Sequence, residues 1–193
     1  FLNFLTMNND ITIDLKTNEI SYHGKKDEDL KVTIIDTGLN TMTGGRLKRL
    51  ERFLGNKRFM ATYGDGVANV NIKALLEFHM KNKKIATVTG VHPSARFGEL
   101  DIAENLVTNF KEKPQVKESY INGGFFVFEP DIFRHIDGDN TMLEREPLER
   151  LSKKGELAIY RHEGFWKCMD TYKDMEDFNK LWESGKAEWK IWK

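Results

Sequence analysis

The chain has 193 residues, of which 39% are hydrophobic and 11% aromatic, so it carries enough apolar side chains for a folded core and is not a disordered protein. Its 30 basic and 30 acidic residues balance, which argues against nucleic-acid binding, a function that usually shows as a basic surplus. No apolar run approaches the length of a membrane span. The single cysteine, Cys168, cannot form an internal disulfide, and this fits a reducing cytoplasm.

The predicted elements alternate between strands and helices along the chain. Two-residue alternation and β-branched or apolar runs predict strands, whereas apolar side chains at helical spacing predict helices. The predicted strands cover residues 10–15, 20–22, 31–35, 59–63, 84–91, 98–102, 106–110, 124–129 and 157–160. The predicted helices cover 45–54, begin after an Asn71 cap and near Ile132, and cover 146–151 and 172–183. This order predicts an α/β fold with a largely parallel sheet.

We expect one domain over residues 1–193, with a structurally distinct segment at each end. Residues 1–30 read as a β-hairpin and oligomer-contact region, and residues 172–193 as a C-terminal helical segment. The chain opens on Phe1 rather than on a methionine, from which we expect a fragment of a longer protein.

The stretch TYGDGV, Thr62–Val67, has two interpretations. Asp-Gly between apolar runs signals a tight hairpin, but the residues from Asn71 onward have helical periodicity, which favours a strand, a loop and a helix instead. An aspartate at the carboxyl end of a strand, flanked by glycines, is also well placed to hold a divalent metal against a phosphate. Asp65 is therefore a candidate metal ligand, and a plain turn residue remains the alternative.

Other polar and glycine residues follow predicted strands and have structural alternatives of their own. The stretch TMTGGR, which contains Thr41 and Arg46, leads into a helix whose first N–H groups can receive an anion, but Gly-Gly turns are also common connectors. A solvated charged turn explains Glu112 and Lys113, a turn or bulge explains Asn122 and Gly123, and a helix N-cap explains Asp170. Packing can explain any one of these residues alone, but it explains less well why the whole series occurs in order at the ends of predicted strands.

Nine stretches in one order, from Asp36 to the C-terminal end, match a known pattern: DTG, TMTGGRLKRL, TYGDGVANVNIKALLEFH, RFGELDI, FKEKP, INGGFFVFEP, EREPLERL, GFWKCMDT and LWESGKAEWK. They cover well over half of the chain. The chain therefore resembles the sugar-phosphate nucleotidylyltransferases, and within them the cytidylyltransferases that act on glucose 1-phosphate. The EKP motif is shared across the wider superfamily, whereas MTGGR, INGGFFV and FWKCMDT in this order are specific to that branch.

The resemblance implies a Rossmann-like α/β enzyme, with a mixed, mainly parallel sheet flanked by helices, that joins CTP and α-D-glucose 1-phosphate into CDP-glucose and pyrophosphate. By position it assigns Mg²⁺ to Asp65 and Asp170. It also implies nucleotide contacts for Thr41 and Arg46, with Gly64 letting ligand approach the backbone, and sugar-phosphate contacts for Glu112, Lys113 and Asn122. Gly123 is a further binding residue by the same resemblance. Among these residues, it implies catalytic roles for Asp65, Asp170, Lys113 and Arg46. A homo-oligomer that acts in surface-polysaccharide synthesis, with no membrane or nucleic-acid partner, is also implied.

The residue types agree with this chemistry. A sugar phosphate is already ionised at neutral pH, so its attack on the α-phosphorus of CTP needs positioning and cationic charge rather than a general base. The five histidines are scattered, and Cys168 has no obvious partner base, so nucleophilic catalysis is not expected.

One departure from the family concerns the glycine-rich loop that wraps the triphosphate and helps to read the base. That loop is absent from this sequence, so we expect the 193-residue chain to be inactive with CTP unless the loop is restored. Because base recognition lies largely in that loop, a UTP- or dTTP-dependent relative is one alternative. A non-catalytic sugar-nucleotide-binding or oligomerisation domain is another.

Overall fold

A computed structural model describes residues 10–23, 31–93, 99–111 and 119–192. The chain divides into two compact units, Phe1–Asp36 and Thr37–Lys193. In the first unit, β1 (Asp10–Asp14) and β2 (Glu19–His23) pair antiparallel. Asn18 closes their turn with φ 58°, a left-handed conformation that asparagine tolerates better than most residues.

The second unit contains a mixed four-stranded sheet. In spatial order, its strands are β3 (Phe59–Thr62), β8 (Ile121–Phe128), β5 (Ala86–Val91) and β9 (Leu157–His162). β8 pairs antiparallel with both β3 and β5, whereas β5 and β9 pair in parallel. In this sheet β3, β5 and β9 therefore run in one direction, and β8 runs in the opposite direction.

This arrangement confirms the predicted mixed α/β sheet flanked by helices and refines it. Most of the four described strands share one direction, as predicted, but only one of the pairings is parallel because β8 lies between β3 and β5. The carboxyl ends of β3, β5 and β9 and the amino end of β8 meet at one edge of the sheet. That edge is where α/β sheets commonly bind ligands.

Two short ribbons complete the described strands of this unit. β4 (Gly66–Ala68) pairs antiparallel with β10 (Trp166–Cys168), and β6 (Glu99–Ala103) pairs antiparallel with β7 (Leu106–Lys111). β3 and β4 therefore do not form a hairpin with each other, although TYGDGV connects them.

The helices follow the apolar periodicity of the sequence. They are α1 (Thr43–Arg49), α2 (Glu51–Leu54), α3 (Ile72–Asn82), α4 (Glu146–Lys153) and α5 (Tyr172–Glu183), with a 3₁₀ helix over Pro130–His135. Asn71 caps α3 as predicted, since its side chain accepts a hydrogen bond from the Ala74 N–H. Thr171, rather than Asp170, caps α5, and Thr171 and Asp174 form a capping box. No described helix has the length and hydropathy that crossing a membrane requires.

The core lies between the sheet and the helices. Phe126 and Phe128 of β8 are fully buried, and their rings stack on each other with centroids 5.3 Å apart. Leu151 of α4 and Ile132 of the 3₁₀ helix are buried in the same cluster. The loops at the edge of the sheet are thus attached to a close-packed support.

The structure differs from the sequence predictions in several local features. Residues 31–35 form no strand in the described chain, because β-branched residues favour a strand only where a partner strand can pair with them. The predicted helix from Ile132 is a 3₁₀ turn, and the predicted helix over 45–54 is divided at Leu50. Within the described residues, the helix of the predicted 172–193 segment ends at Glu183.

Candidate functional site

The β4–β10 ribbon brings Asp65 and Asp170 together across more than a hundred residues of sequence. Asp65 directly precedes β4, and Asp170 lies just after β10. Because the two strands are antiparallel, the start of one and the end of the other meet, and Cys168 pairs with Gly66. The Met169 N–H donates to the Asp65 carbonyl at 2.8 Å and extends the ladder to the aspartates themselves.

The exposed Asp65 and Asp170 and the half-buried Cys168 form a cluster with the spacing of a cation site. One side-chain ligand atom from each residue lies within 4.8 Å of the others. Burial raises the pKa of the Cys168 thiol to about 11, and its hydrogen bond to Asp170 and the charge of Asp65 act in the same direction. The thiol is therefore protonated at neutral pH, and it donates to Asp170 Oδ1 at 3.0 Å.

The donor set fits Mg²⁺ through its oxygens. Mg²⁺ prefers one or two carboxylates completed by phosphate and water, and it does not select sulfur ligands. Asp65 and Asp170 supply these carboxylates, whereas the neutral thiol of Cys168 is better explained as a hydrogen-bond donor to one of them. Mg²⁺ binding by the two aspartates stays a prediction, and the geometry agrees with it.

The amino end of β8 contributes the next part of this edge. Asn122 is exposed, and its Oδ1 accepts the Gly124 N–H at 2.9 Å. The indole N–H of Trp166, in β10, donates to the Gly123 carbonyl at 2.8 Å, so the site-bearing ribbon is tied to β8. Gly123 is buried, and a Cβ there would lie 2.7 Å from Val91 Cγ1, which gives this glycine a packing role.

Tyr63, which follows β3 and lies two residues before Asp65, forms hydrogen bonds in two directions. Its hydroxyl donates to Glu144 Oε1 and accepts from Asn122 Nδ2 at 3.3 Å. Burial raises the pKa of Tyr63 above its usual value, and the bond to Glu144 adds to the effect, so the phenol keeps its proton. The other carboxylate oxygen of Glu144 accepts from the Thr43 hydroxyl at 2.7 Å.

The TMTGGR stretch has extensive internal contacts. Gly45 donates its N–H to the Thr141 carbonyl at 3.1 Å, so this group of the α1 N-terminus is paired within the protein rather than open to an anion. A Cβ at Gly44 would lie 2.8 Å from the Thr141 carbonyl oxygen, and one at Gly45 would lie 2.6 Å from Asp139 Cα. The glycines therefore let α1 pack directly against the 139–141 backbone.

Of the two predicted nucleotide-binding side chains of this stretch, one is buried and the other has internal hydrogen-bond partners. Thr41 is buried, with 7% of its surface exposed. Arg46 donates to the Thr37 hydroxyl at 2.7 Å and to the Leu39 carbonyl at 3.1 Å. These contacts order the 37–39 loop around the guanidinium, and nucleotide contact by either residue stays a prediction.

The remaining predicted residues divide into one exposed glycine and two residues outside the described chain. A Cβ at Gly64 would meet no atom within 4 Å, so packing gives no reason for glycine there. Glu112 and Lys113 lie outside the described residues.

Sequence reasoning missed the Tyr63, Glu144 and Thr43 contacts. Tyr63 and Thr43 lie inside the quoted TYGDGV and TMTGGR stretches, and Glu144 lies inside EREPLERL, so the segments were found but not these side chains. The hydrogen bonds from Glu144 to Tyr63 and Thr43 span 81 and 101 residues, and no local spacing signals such pairs.

Comparison with known proteins gives one family and one fold. A model of the family described as nucleotidyl transferase matches residues 8–185. The glucose-1-phosphate cytidylyltransferase of Salmonella typhimurium is 45% identical over 193 residues, which are all of this chain and 75% of that protein.

Solved structures agree on the fold at lower identity. HddC from Yersinia pseudotuberculosis aligns with a TM-score of 0.56 at 19% identity, over 75% of this chain and 64% of the solved one. UDP-glucose pyrophosphorylase complexed with UDP-glucose aligns with a TM-score of 0.56 at 14% identity, over 78% of this chain and 65% of the solved one. The chain thus spans slightly less than two thirds of the solved chains that it matches.

Proposed function

The chain belongs to the nucleotidyl transferase family, and we propose that its protein transfers a cytidylyl group from CTP to α-D-glucose 1-phosphate, with CDP-glucose and pyrophosphate as products. The observation that carries the reaction class is the pair of exposed carboxylates, Asp65 and Asp170, that meet at the end of the β4–β10 ribbon. The choice of CTP and glucose 1-phosphate rests on the 45% identity to a glucose-1-phosphate cytidylyltransferase over the whole chain.

The reaction is an in-line displacement at phosphorus. An oxygen of the sugar phosphate attacks the α-phosphorus of CTP, the bond between that phosphorus and the bridging oxygen breaks, and the electron pair leaves with pyrophosphate. The attacking oxygen is already ionised near pH 7, so the protein has to bind, align and neutralise charge rather than remove a proton. The exposed carboxylates of Asp65 and Asp170 can meet the need for positive charge only by holding a cation, while the Asn122 amide can align the sugar.

Asp65 and Asp170 would hold Mg²⁺ through their carboxylates. When bound, this ion supplies positive charge that polarises phosphate oxygens and offsets the charge developing in the transition state. The ribbon fixes the backbones that carry the two carboxylates relative to each other before substrate arrives, since the Met169 N–H donates to the Asp65 carbonyl. A preorganised site of this kind avoids a reorganisation cost during the reaction.

The other proposed roles follow the position of each side chain. Gly64, whose Cα faces open space, lets phosphate or ribose approach the backbone. Asn122 presents its carboxamide at the sheet edge for sugar hydroxyls, with Glu112 and Lys113 as further sugar-phosphate contacts by resemblance. Arg46 and Thr41 act at the nucleotide side, with Arg46 also supporting the 37–39 loop.

A substrate panel tests the proposal. The full-length protein is incubated with CTP, UTP, dTTP or GTP and with glucose 1-phosphate or mannose 1-phosphate, and pyrophosphate release is measured with and without Mg²⁺. We expect CTP with glucose 1-phosphate to exceed every other pair in kcat/KM by about 100-fold, the selectivity that a hydrogen-bonding site achieves readily.

Two outcomes would contradict the proposal in different ways. A preference for UTP or dTTP would keep the reaction and change the nucleotide. Calorimetric binding of CDP-glucose by a wild-type protein that forms no product would instead indicate a non-catalytic sugar-nucleotide-binding domain.

A further inference from the structure

We propose that Tyr63 and Glu144 are positioning residues that hold the Asn122 carboxamide in one orientation at the sugar-phosphate side of the site. The inference starts from a continuous chain of hydrogen bonds. Asn122 Nδ2 donates to the Tyr63 hydroxyl, that hydroxyl donates to Glu144 Oε1, and the Thr43 hydroxyl donates to Glu144 Oε2. The chain links the start of β8, the loop after β3 and the start of α1.

Each hydrogen bond in this chain has only one direction. A carboxylate accepts and cannot donate, so both Tyr63 and Thr43 must point their hydrogens at Glu144. The Tyr63 oxygen, having donated its one hydrogen, can only accept from Asn122. The Thr43 oxygen likewise accepts from the Leu143 N–H at 3.0 Å. The polarity of the whole chain is therefore set by the charge of Glu144.

This polarity determines which atom of the Asn122 carboxamide points where. Its Oδ1 accepts the Gly124 N–H at 2.9 Å, and its Nδ2 faces the Tyr63 oxygen. A flipped amide would place Nδ2 against the Gly124 N–H and Oδ1 against a phenol whose hydrogen is already given to Glu144, so both contacts would be lost. One N–H and one oxygen lone pair remain beyond these bonds for a ligand hydroxyl.

The same phenol also joins the two halves of the candidate site. Tyr63 lies two residues before Asp65, and a Cβ at Gly124 would lie 2.7 Å from the Tyr63 ring. The ring is therefore confined between its hydrogen bonds and the β8 backbone, where it has little rotational freedom. A rigid intermediary of this kind transmits orientation from Glu144 to Asn122.

The expected kinetic consequence rests on the proposed function. If Asn122 binds a sugar hydroxyl, release of its orientation weakens glucose 1-phosphate binding more than CTP binding. Removing the phenol oxygen in Tyr63→Phe keeps the ring and its packing but breaks the chain. We expect the KM for glucose 1-phosphate to rise about 5- to 20-fold, as for the loss of one oriented hydrogen bond, with the KM for CTP changed less than about twofold.

Tyr120→Phe is the matched control for this change. Tyr120 also donates a phenol hydrogen bond to a carboxylate, that of Glu163, but it lies outside the chain to Asn122. We expect its KM values to stay within about twofold of wild type, because only the general effect of losing a phenol–carboxylate bond is present. Thr43→Val and Thr43→Ser form a second pair. Serine keeps the hydroxyl, so we expect the wild-type KM for glucose 1-phosphate in Thr43→Ser and a raised KM in Thr43→Val.

A readout independent of turnover separates this inference from the proposed function. The side-chain amide of Asn122, labelled with ¹⁵N, is observed by NMR in the wild type, Tyr63→Phe and Glu144→Gln. In the wild type we expect a large chemical-shift difference between the two NH₂ protons and slow exchange with solvent. In both variants we expect a smaller chemical-shift difference and faster exchange. Unchanged signals in both variants would overturn the inference whether or not the protein transfers nucleotides.

The two proposals therefore fail in distinguishable ways. A wild-type protein that makes no CDP-glucose, but whose Asn122 signals respond as described, contradicts the proposed function and leaves the positioning role supported. A protein that makes CDP-glucose while Tyr63→Phe raises the KM of both substrates equally contradicts the positioning role.

Discussion

The end of the β4–β10 ribbon and the start of α1 use glycine and polar residues in opposite ways. At the ribbon end, the aspartates are exposed, and a Cβ at Gly64 would meet nothing within 4 Å. At the start of α1, Thr41 is buried and Gly44 and Gly45 leave no space for a side chain. The first region is open to solvent, whereas the second faces the protein's own backbone.

The difference shows that a glycine beside polar residues has no single meaning. Both stretches carry the same kind of signal in the sequence, and both belong to the motifs by which the chain resembles its family. What separates them is the environment of the missing Cβ, which is backbone at Gly45 and open space at Gly64. We therefore expect glycine substitutions in the first region to change activity and glycine substitutions in the second to change stability.

The largest expected effect comes from the aspartates. Asp65→Asn and Asp170→Asn keep side-chain volume but remove the charge that would hold Mg²⁺, so kcat/KM should fall about 100- to 1,000-fold, the equivalent of roughly 3–4 kcal/mol of transition-state stabilisation. The thermal midpoint of unfolding should stay within about 2 °C of wild type, because both side chains are exposed.

A metal-binding measurement completes this prediction without relying on turnover. Mn²⁺ titration followed by electron paramagnetic resonance should give a bound ion in the wild type and a dissociation constant raised at least about tenfold in each variant. Asp131→Asn, an exposed aspartate that pairs with Arg134 in the 3₁₀ helix, is the control. Equal Mn²⁺ affinity in the wild type and both aspartate variants would remove the metal role from this site.

Asp65 itself shows how much of this site the sequence predicts. Its position after a strand, the cap at Asn71 and the α/β class follow from periodicity and turn chemistry, and each agrees with the structure. Its proximity to Asp170 is predicted only by the family resemblance and not by periodicity, because β4 and β10 are only three residues long and carry no strand signal of their own. Each is a strand only because the other is present, and such pairing is invisible to local patterns.

The Tyr63–Glu144 contact has the same origin. Tyrosine after a strand and glutamate before a helix are both ordinary in sequence, so their meeting depends on the tertiary fold alone. The same limit explains the error at residues 31–35, where β-branched residues met no partner strand in the described chain. Local chemistry thus predicts which elements most of the chain forms, while the site depends on which elements become neighbours.

An intermediate effect is expected from a matched pair of glycine substitutions. Gly45→Ala should lower the free energy of unfolding by about 1–3 kcal/mol, because its methyl group would meet the Asp139 backbone and α1 would have to move. Gly64→Ala should leave stability within about 0.5 kcal/mol and reduce turnover, since its Cα faces only the space proposed for the ligand.

Chemical denaturation and steady-state kinetics on both variants decide between the two regions. The difference between the two regions is supported if Gly45→Ala loses stability without a matching loss of turnover and Gly64→Ala loses turnover without a matching loss of stability. Equal loss of stability in both would show that the TYGDGV loop is as tightly packed as the start of α1.

The smallest expected effect concerns the ion pair beside α1. Arg49 donates to both carboxylate oxygens of Asp139, and this bonding lowers the pKa of Asp139 below its usual range. A carboxyl whose pKa is lower in the folded than in the unfolded state adds stability above the unfolded value of about 3.9 and loses it as the pH falls toward the folded value. Asp139→Asn should therefore lower the thermal midpoint at pH 7, and its difference from the wild type should shrink as the pH falls below about 3.9.

Asp137→Asn provides the control for this last comparison. Its carboxylate pairs with Arg150 of α4 in the same two-bond manner and has a pKa lowered by the same cause, but Arg150 is not part of α1. Both variants should show the same pH dependence of stability, because it reflects only the titration of one exposed pair. If the start of α1 depends on its ion pair as well as on backbone contacts, Asp139→Asn alone should also weaken hydrogen-exchange protection at the Gly45 N–H, and equal protection in the two variants would leave the Gly45 packing as its main support.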